Sequence, residues 1–477
     1  MPELFSSTIA ANRFGLGARP GELASIGTNG REWLRAQLLA AAPTLASGEL
    51  RSTAQILAGA LQLRREIQGA RKAGVFANTG GKAAQDATQN LQQRLPQFLR
   101  PIYVSEVTAR FQQAVSSNQP FLERLTQFWS NHFAVSIDKQ FLAGLAGGFE
   151  REAIRPHVLG DFTDLLLAVE THPAMLLYLD NHLSVGPHSQ AAQRLQRVQR
   201  RPQPRRIGIN ENLAREILEL HTLGVGGGYT QADVTTFAQV ITGWSIADEG
   251  GRTAGGTSGQ FLFRPELHEP GAKVVLGKRY PDDGFGQGVD VLRALAHARA
   301  TAHFIATKLA RHFVADDPPP AAVERIAEAF TRSAGNLPTV YRALIDCPEA
   351  WAQPLAKYKT PSDYVISGFR GLTLPVDAGR APLAPFELLG QRTWSPGSPA
   401  GWPDRSADWD GASALMKRIQ WADAVGERLG NHRDAVQLAP ELLGATLSDA
   451  TRNAIAHAAS DAQALTLLLA APEFMRR

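Results

Sequence analysis

The chain has 477 residues and a formal net charge of +4, from 49 Lys and Arg against 45 Asp and Glu. That length is too great for one small core and predicts two or three structural units. An apolar content of 44% excludes wholesale disorder, and so small a positive excess argues against nucleic-acid binding by the whole chain.

The pattern predicts a mainly α fold, a multi-helix, bundle-like architecture with a small β-hairpin insertion near residues 258–280. Helices are expected over Arg31–Ala41, with Trp33, Leu34, Leu38 and Leu39 at helical spacing, and over Ile56–Ile67. Val75–Gln89 reads as a loop or weak helix. Leu91–Asn118 reads as a long amphipathic helix broken or kinked at Pro96 and Pro101. Further helices are expected over Pro120–Asn131 and Arg151–Thr171, with a short turn at Pro173–Leu179. Residues 1–183 thus form an N-terminal helical region.

Residues 184–208 break the pattern. Arg194, Arg197, Arg200, Arg201, Arg205 and Arg206 crowd a stretch with Pro202 and Pro204, expected as a flexible surface loop. Residues 209–287 hold two motif helices and the β-like runs Phe261–Phe263 and Lys273–Leu276, read as one hairpin. From 288 to 477 helices return (Val289–Ala298, Ala302–Val314, Ala321–Ser333, Leu337–Leu344, Pro361–Leu372, Ser413–Leu429), interrupted by a Pro-, Gly- and Trp-rich loop over Gly390–Asp410. The one cysteine, Cys347, excludes a disulfide framework and a Cys-based zinc site within one chain, and its place at a helix end reads as structural. No basic-then-apolar leader precedes Phe14, and runs such as Leu465–Pro472 fall far below the roughly 20 residues of a membrane span. The expected location is therefore the cytoplasm, with no membrane span.

The chemically suggestive residues concentrate between Asn210 and Trp244. Asn210 suits an N-cap, Glu211 the first turn and Gly224 the position after the last turn. Ala214, Ile217, Leu218 and His221 share one helix face; Glu211, Arg215 and Glu219 share another, with Glu216 beside them. Taken alone, this is an exposed ion-pair ladder and a satisfied core histidine. The Gly226–Gly228 bend that follows, and the Thr230/Asp233 capping box after it, imply a need for unusual backbone angles. Trp129-Ser130-Asn131-His132-Phe133 places an imidazole among aromatics at another helix end. His132, Arg215, Glu216, Glu219 and His221 are thus the candidate catalytic residues, and such a His/Glu cluster could hold a divalent metal. Familiar signatures are absent: there is no His-Glu-x-x-His, no Gly-x-Ser-x-Gly, no P-loop and no EF-hand spacing.

The motifs together resemble a bacterial family, domain of unknown function 1800 (DUF1800). The resemblance is carried by Asn12-Arg13-Phe14-Gly15-Leu16-Gly17, Phe128 to Phe133, Asn212-x-x-Arg215-Glu216-x-x-Glu219-x-His221-Thr222-Leu223-Gly224 and Gly228-Tyr229-Thr230-Gln231-x-Asp233-Val234. His268 with Lys273 and Gly277, Lys308-Leu309-x-x-His312-Phe313, and Pro399-x-Gly401-Trp402-Pro403 complete it, from residue 10 to about 405. It implies a helical fold and no stated activity. Members often look exported and commonly neighbour a phosphatase- or sulfatase-like family (DUF1501). This chain lacks a visible signal, so it stays inside or leaves with a partner that carries one. Three readings follow: a hydrolase or metal-assisted acid–base enzyme; a non-catalytic partner or scaffold of a DUF1501-type protein; and an anionic-polymer binder acting through the Arg-rich stretch.

Overall fold

Helix Lys82–Ser116 carries Pro96 and Pro101 inside it and still runs unbroken. Both prolines lie exposed, on the side of the helix where the loss of an intrahelical hydrogen bond is tolerated best. This helix belongs to a computed structural model that describes residues 5–45, 50–72, 82–139, 141–198, 208–247, 256–376 and 383–477. Val75–Gln89 lies partly outside those residues; its described part, from Lys82, is helical.

The fold is mainly α, as the periodicity predicts. Helix Pro120–His132 is nearly wholly interior: ten of its residues between Phe121 and His132 are buried. It lies against Ile9–Phe14, Gly30–Gln37, Lys82–Ser116 and Glu150–Ile154, and shares one apolar cluster with Thr53–Lys72, Leu142–Phe149, Phe162–Glu170, Gln231–Val240, Arg299–Phe313 and Leu337–Asp346. A second apolar cluster is built from Tyr358 to Met475, joined by Leu16, Phe111, Ala114 and Val115. In it helix Ala412–Leu429 lies against Asp461–Ala470. Gly426 permits that approach, since a Cβ there would stand 2.5 Å from the Ala462 carbonyl oxygen.

The small β-hairpin expected near 258–280 is present, as one of two small antiparallel sheets. β1 (Trp244–Ile246) pairs with β2 (Phe261–Phe263), and β3 (Lys273–Val275) pairs with β4 (Lys278–Tyr280). The two β-like runs therefore do not pair with each other. Leu276 and Gly277 both have positive φ (50° and 74°), the geometry of a two-residue turn that folds β3 straight back onto β4. Within 184–208, Gln190–Val198 forms a helix with Arg194 and Arg197 exposed, and residues 199–207 lie outside the described residues.

Among the described residues three helical segments are wound as π-helix: Ile9–Phe14, Glu150–Ile154 and Ile217–His221. Each coincides with a polar motif that the helix turns inward, delivering Arg13, Glu150 and His221 to the interior. Such widened turns are uncommon and concentrate at functional sites. In the third, the Thr222 hydroxyl donates to the Ile217 carbonyl five residues back (2.6 Å).

Candidate functional site

The five residues singled out by sequence separate into two groups. Arg215, Glu216 and Glu219 lie at the surface or half-buried. Arg215 donates to Glu211 Oε2 (3.1 Å) and to Gln231 (3.0 Å), while Glu219 accepts from the Tyr229 hydroxyl (3.3 Å). Burial, reinforced by Glu219, raises the Glu216 carboxyl above its ordinary range. The N-cap reading of Asn210 has a counterpart here, since its side-chain oxygen accepts from the Asn212 N–H (2.9 Å). The Thr230/Asp233 capping box is formed, and Gly224, Gly226 and Gly228 all have φ near +80° to +90°.

His132 and His221 point the other way, into the interior, with ring centroids 6.3 Å apart. His221 Nδ1 donates to Glu170 Oε1 (2.8 Å), and His132 Nε2 donates to the His221 carbonyl (3.2 Å). Phe133 packs on both rings. Burial, aided by Lys308 and His221, drives the His132 imidazole well below its ordinary range, so it is neutral at pH 7. This pair and its carboxylate are sealed: His132, Glu170 and His221 are all buried.

A second imidazole–carboxylate pair opens onto a cavity of ≈ 90 Å³ between the two apolar clusters. His312 Nδ1 lies 3.9 Å from Asp404 Oδ1, and Lys308 Nζ donates to Asp404 Oδ2 (2.8 Å). The loop carrying Asp404 is held from both sides. Asn131 donates to the Trp402 carbonyl (2.9 Å) and accepts the Trp402 N–H (2.7 Å), and Lys357 Nζ donates to the Asp404 carbonyl (2.7 Å). Gly401 (φ +82°) is required for this embrace, because a Cβ there would stand 2.3 Å from the Asn131 carbonyl oxygen.

The opposite wall is cationic. Asp363 lies 3.1 Å from an Arg124 nitrogen and 3.3 Å from Arg477 Nε. Burial pushes the Asp363 carboxyl up, but Arg124 and Arg477 outweigh it and hold it far below the usual carboxylate range. The same balance, won by His312 and Lys308, applies to Asp404. Burial lowers the His312 imidazole to about 4 against the pull of Asp404, and lowers the Arg477 guanidinium to about 9. Behind this wall Lys359 stands over the Phe474 ring and donates to Ser367, its ammonium brought down to about 7 by burial. Arg110 and Trp394, also lining the cavity, both donate to the buried Glu150.

Two side chains lining this one small cavity carry buried polar atoms without a partner, Gln127 Nε2 and His312 Nε2, whereas Asp363 Oδ2 and Arg477 Nε make no hydrogen bond but face each other as an ion pair at 3.3 Å. Buried polar atoms are nearly always satisfied, so the convergence of the first two marks a place built to meet another molecule. Of the residues around it, sequence reading reached Lys308, His312 and Trp402 only as family motifs. It missed Arg124, Asp363, Asp404 and Arg477 altogether, as it did Glu170 at the sealed histidine site.

Other suggestive residues serve the scaffold. Lys273 donates to the carbonyls of Glu269, Pro270 and Gly271 (3.2, 2.8 and 2.7 Å), which braces the loop leading into β3. The Cys347 thiol is buried and donates to Glu349 (2.8 Å), and burial with that carboxylate raises it to about 11, an unreactive setting. Among the described residues no three His, Cys, Asp or Glu side chains are grouped to hold a metal ion, and no helix is long and apolar enough to cross a membrane.

A family profile described as "Protein of unknown function (DUF1800)" matches residues 9–476, nearly the whole chain. No curated protein and no solved structure matches it.

Proposed function

The chain belongs to the DUF1800 family, and we propose that it is an acid–base hydrolase whose active site is the cavity lined by His312, Asp404, Arg124 and Arg477. The observation that carries this reading is the convergence there of unpartnered polar atoms, His312 Nε2 foremost. Asp404 Oδ1 stands 3.9 Å from Nδ1, beyond a direct hydrogen bond but on the side that favours the ring proton there, which leaves Nε2 of the neutral ring as the base. A water molecule loses its proton to Nε2 as its oxygen bonds to a carbonyl carbon. The arginine wall holds the oxygen that gains charge, and His312 then returns the proton to the leaving group as that bond breaks. Lys308 and Asn131 fix Asp404 and its loop, so the pair is positioned before substrate arrives.

In this reading His132, His221 and Glu170 form the stiff floor beneath the Asn131 loop anchor, and Arg215, Glu216 and Glu219 make no bond to substrate. The metal-assisted version lacks an assembled donor set among the described residues. The test is turnover of a panel of p-nitrophenyl esters by the purified chain beside His312→Gln and Asp404→Asn. Turnover that disappears in the first and drops in the second supports the proposal; turnover that survives His312→Gln removes it.

The scaffold reading has one observation of its own. Leu415, Met416 and Ile419 of helix Ala412–Leu429 and Leu388 of helix Leu383–Leu389 are exposed on the same C-terminal bundle. A DUF1501-type partner covering them would co-purify in equal amounts with the native chain and separate from Met416→Glu. Anionic-polymer binding has only the exposed Arg194 and Arg197 in its favour among the described residues; salt-independent affinity would remove it.

A further inference from the structure

We infer that the substrate turned over at His312 carries an aliphatic acyl chain, seated in a second cavity that shares a wall with the first. This rests on the reading of the His312 cavity as the active site. The second cavity, ≈ 760 Å³, lies between helices Thr53–Lys72 and Lys82–Ser116 and the segment from Leu383 to Thr393. Its volume falls within the range of small-molecule sites, whereas the His312 cavity has room only for a reacting group.

The two are neighbours by construction. Arg392 and Thr393 line both. The Tyr103 hydroxyl donates to the Thr393 carbonyl (3.1 Å), which fixes the shared wall; burial raises that phenol above its ordinary range, and Arg392 lies close enough to offset part of the rise. The interior of the larger cavity is Leu95, Leu99, Val104, Ile137 and Phe386. A sugar or nucleoside there would leave hydroxyls unpaired against leucines, a cost an alkyl chain does not incur. The charged groups of the lining are Arg64, Arg100 and Arg392 against Glu387 alone, so the cavity is apolar inside and cationic overall. That combination suits an acyl chain ending in a carboxylate. Hydrolysis of an acyl ester adds water across the C–O bond and yields such a carboxylate and an alcohol, with the carboxylate left beside Arg392 at the junction.

The test uses the full chain with p-nitrophenyl acetate, p-nitrophenyl octanoate and, for binding alone, dodecanoate followed by calorimetry. We expect kcat/KM for octanoate to exceed that for acetate by about tenfold or more, because added methylenes fill apolar space. Ala143→Phe, which projects a ring into the larger cavity, reduces that ratio toward one. Arg392→Ala weakens dodecanoate binding about tenfold, the usual size for losing a charged hydrogen-bond partner. His312→Gln binds dodecanoate as the native chain does. Dodecanoate binding without hydrolysis of either ester would keep the acyl site and overturn the hydrolase reading. Equal rates for the two esters, or no saturable dodecanoate binding, would overturn the acyl site and leave the hydrolase reading standing.

Discussion

Among the imidazole–carboxylate pairs of the described residues, two are built to opposite ends. His221 and Glu170 meet at 2.8 Å in a place with no access to solvent, among Phe133 and its neighbours. His312 and Asp404 sit 3.9 Å apart, with 15% and 12% of their side chains exposed, on a cavity walled by guanidinium groups. The tighter pair is closed to solvent, although His132 Nδ1, Glu170 Oε2 and His221 Nε2 also lack hydrogen-bond partners there, and the looser pair faces a small cavity where His312 Nε2 and Gln127 Nε2 lack them. Hydrogen-bond quality alone therefore does not identify a working histidine; what its second nitrogen faces does. One pair is expected to be structural and the other chemical, a division tested by mutations that separate stability from turnover.

The largest effect is expected at the open pair. His312→Gln should lower ester turnover by about 10²- to 10⁴-fold, the usual contribution of a positioned acid–base group, with helical circular dichroism unchanged. At the sealed pair the order reverses. Glu170→Ala leaves the His221 Nδ1 donor buried without its acceptor, and a loss of about 3–5 kcal/mol in urea unfolding is expected, as for other broken buried pairs. The fraction that remains folded should keep native turnover. A Glu170→Ala protein of native stability, or a folded one without activity, would contradict the division.

This contrast was only half legible in the sequence. His132 and His221 stand out because aromatic and amide neighbours flank them and a capped helix leads up to them. The alternation of helix faces also separates buried Ile217, Leu218 and His221 from Arg215 and Glu219 outside. The partners were invisible, because they come from elsewhere: Glu170 lies 51 residues from His221, and Arg124, Asp363 and Arg477 come from three distant segments. No local period encodes such a meeting. Asp404 escaped for a simpler reason. It directly follows the recognised Gly401-Trp402-Pro403, in a loop that local pattern reads only as Pro- and Gly-rich. The general helical architecture was readable because it rests on periodicity. The pairing of the four strands was not, because it turned on two residues with positive φ, Leu276 and Gly277.

Acid should touch the open pair in a calculable direction. The folded His312 imidazole titrates near 4, below its ordinary value, so the unfolded chain takes up the proton first. Stability from this group is complete above about pH 6.5 and declines as pH falls through about 4, by about 3 kcal/mol in all. His132, lowered by burial beside Lys308 and His221, steepens the same limb. Asp363 and Asp404, held low, contribute stability that is present above the usual carboxylate range and is lost only in stronger acid. Urea midpoints measured from pH 7 to 4 should therefore fall less steeply for His312→Gln than for the native chain; parallel curves would mean that the ring is charged in the folded state. The smallest effect belongs to the surface ladder. Arg215→Ala or Glu219→Gln should change stability by less than about 1 kcal/mol, as exposed pairs do, and leave turnover intact.

The pH dependence of kcat/KM for an ester substrate tests the division of labour most directly. If His312 is the base, the native chain shows an ascending limb with its midpoint near pH 4, set by burial of that ring against the pull of Asp404, and a plateau above it. His312→Gln abolishes the limb together with the rate. A profile that His312→Gln leaves in place would contradict the account and return the search to His132 and His221.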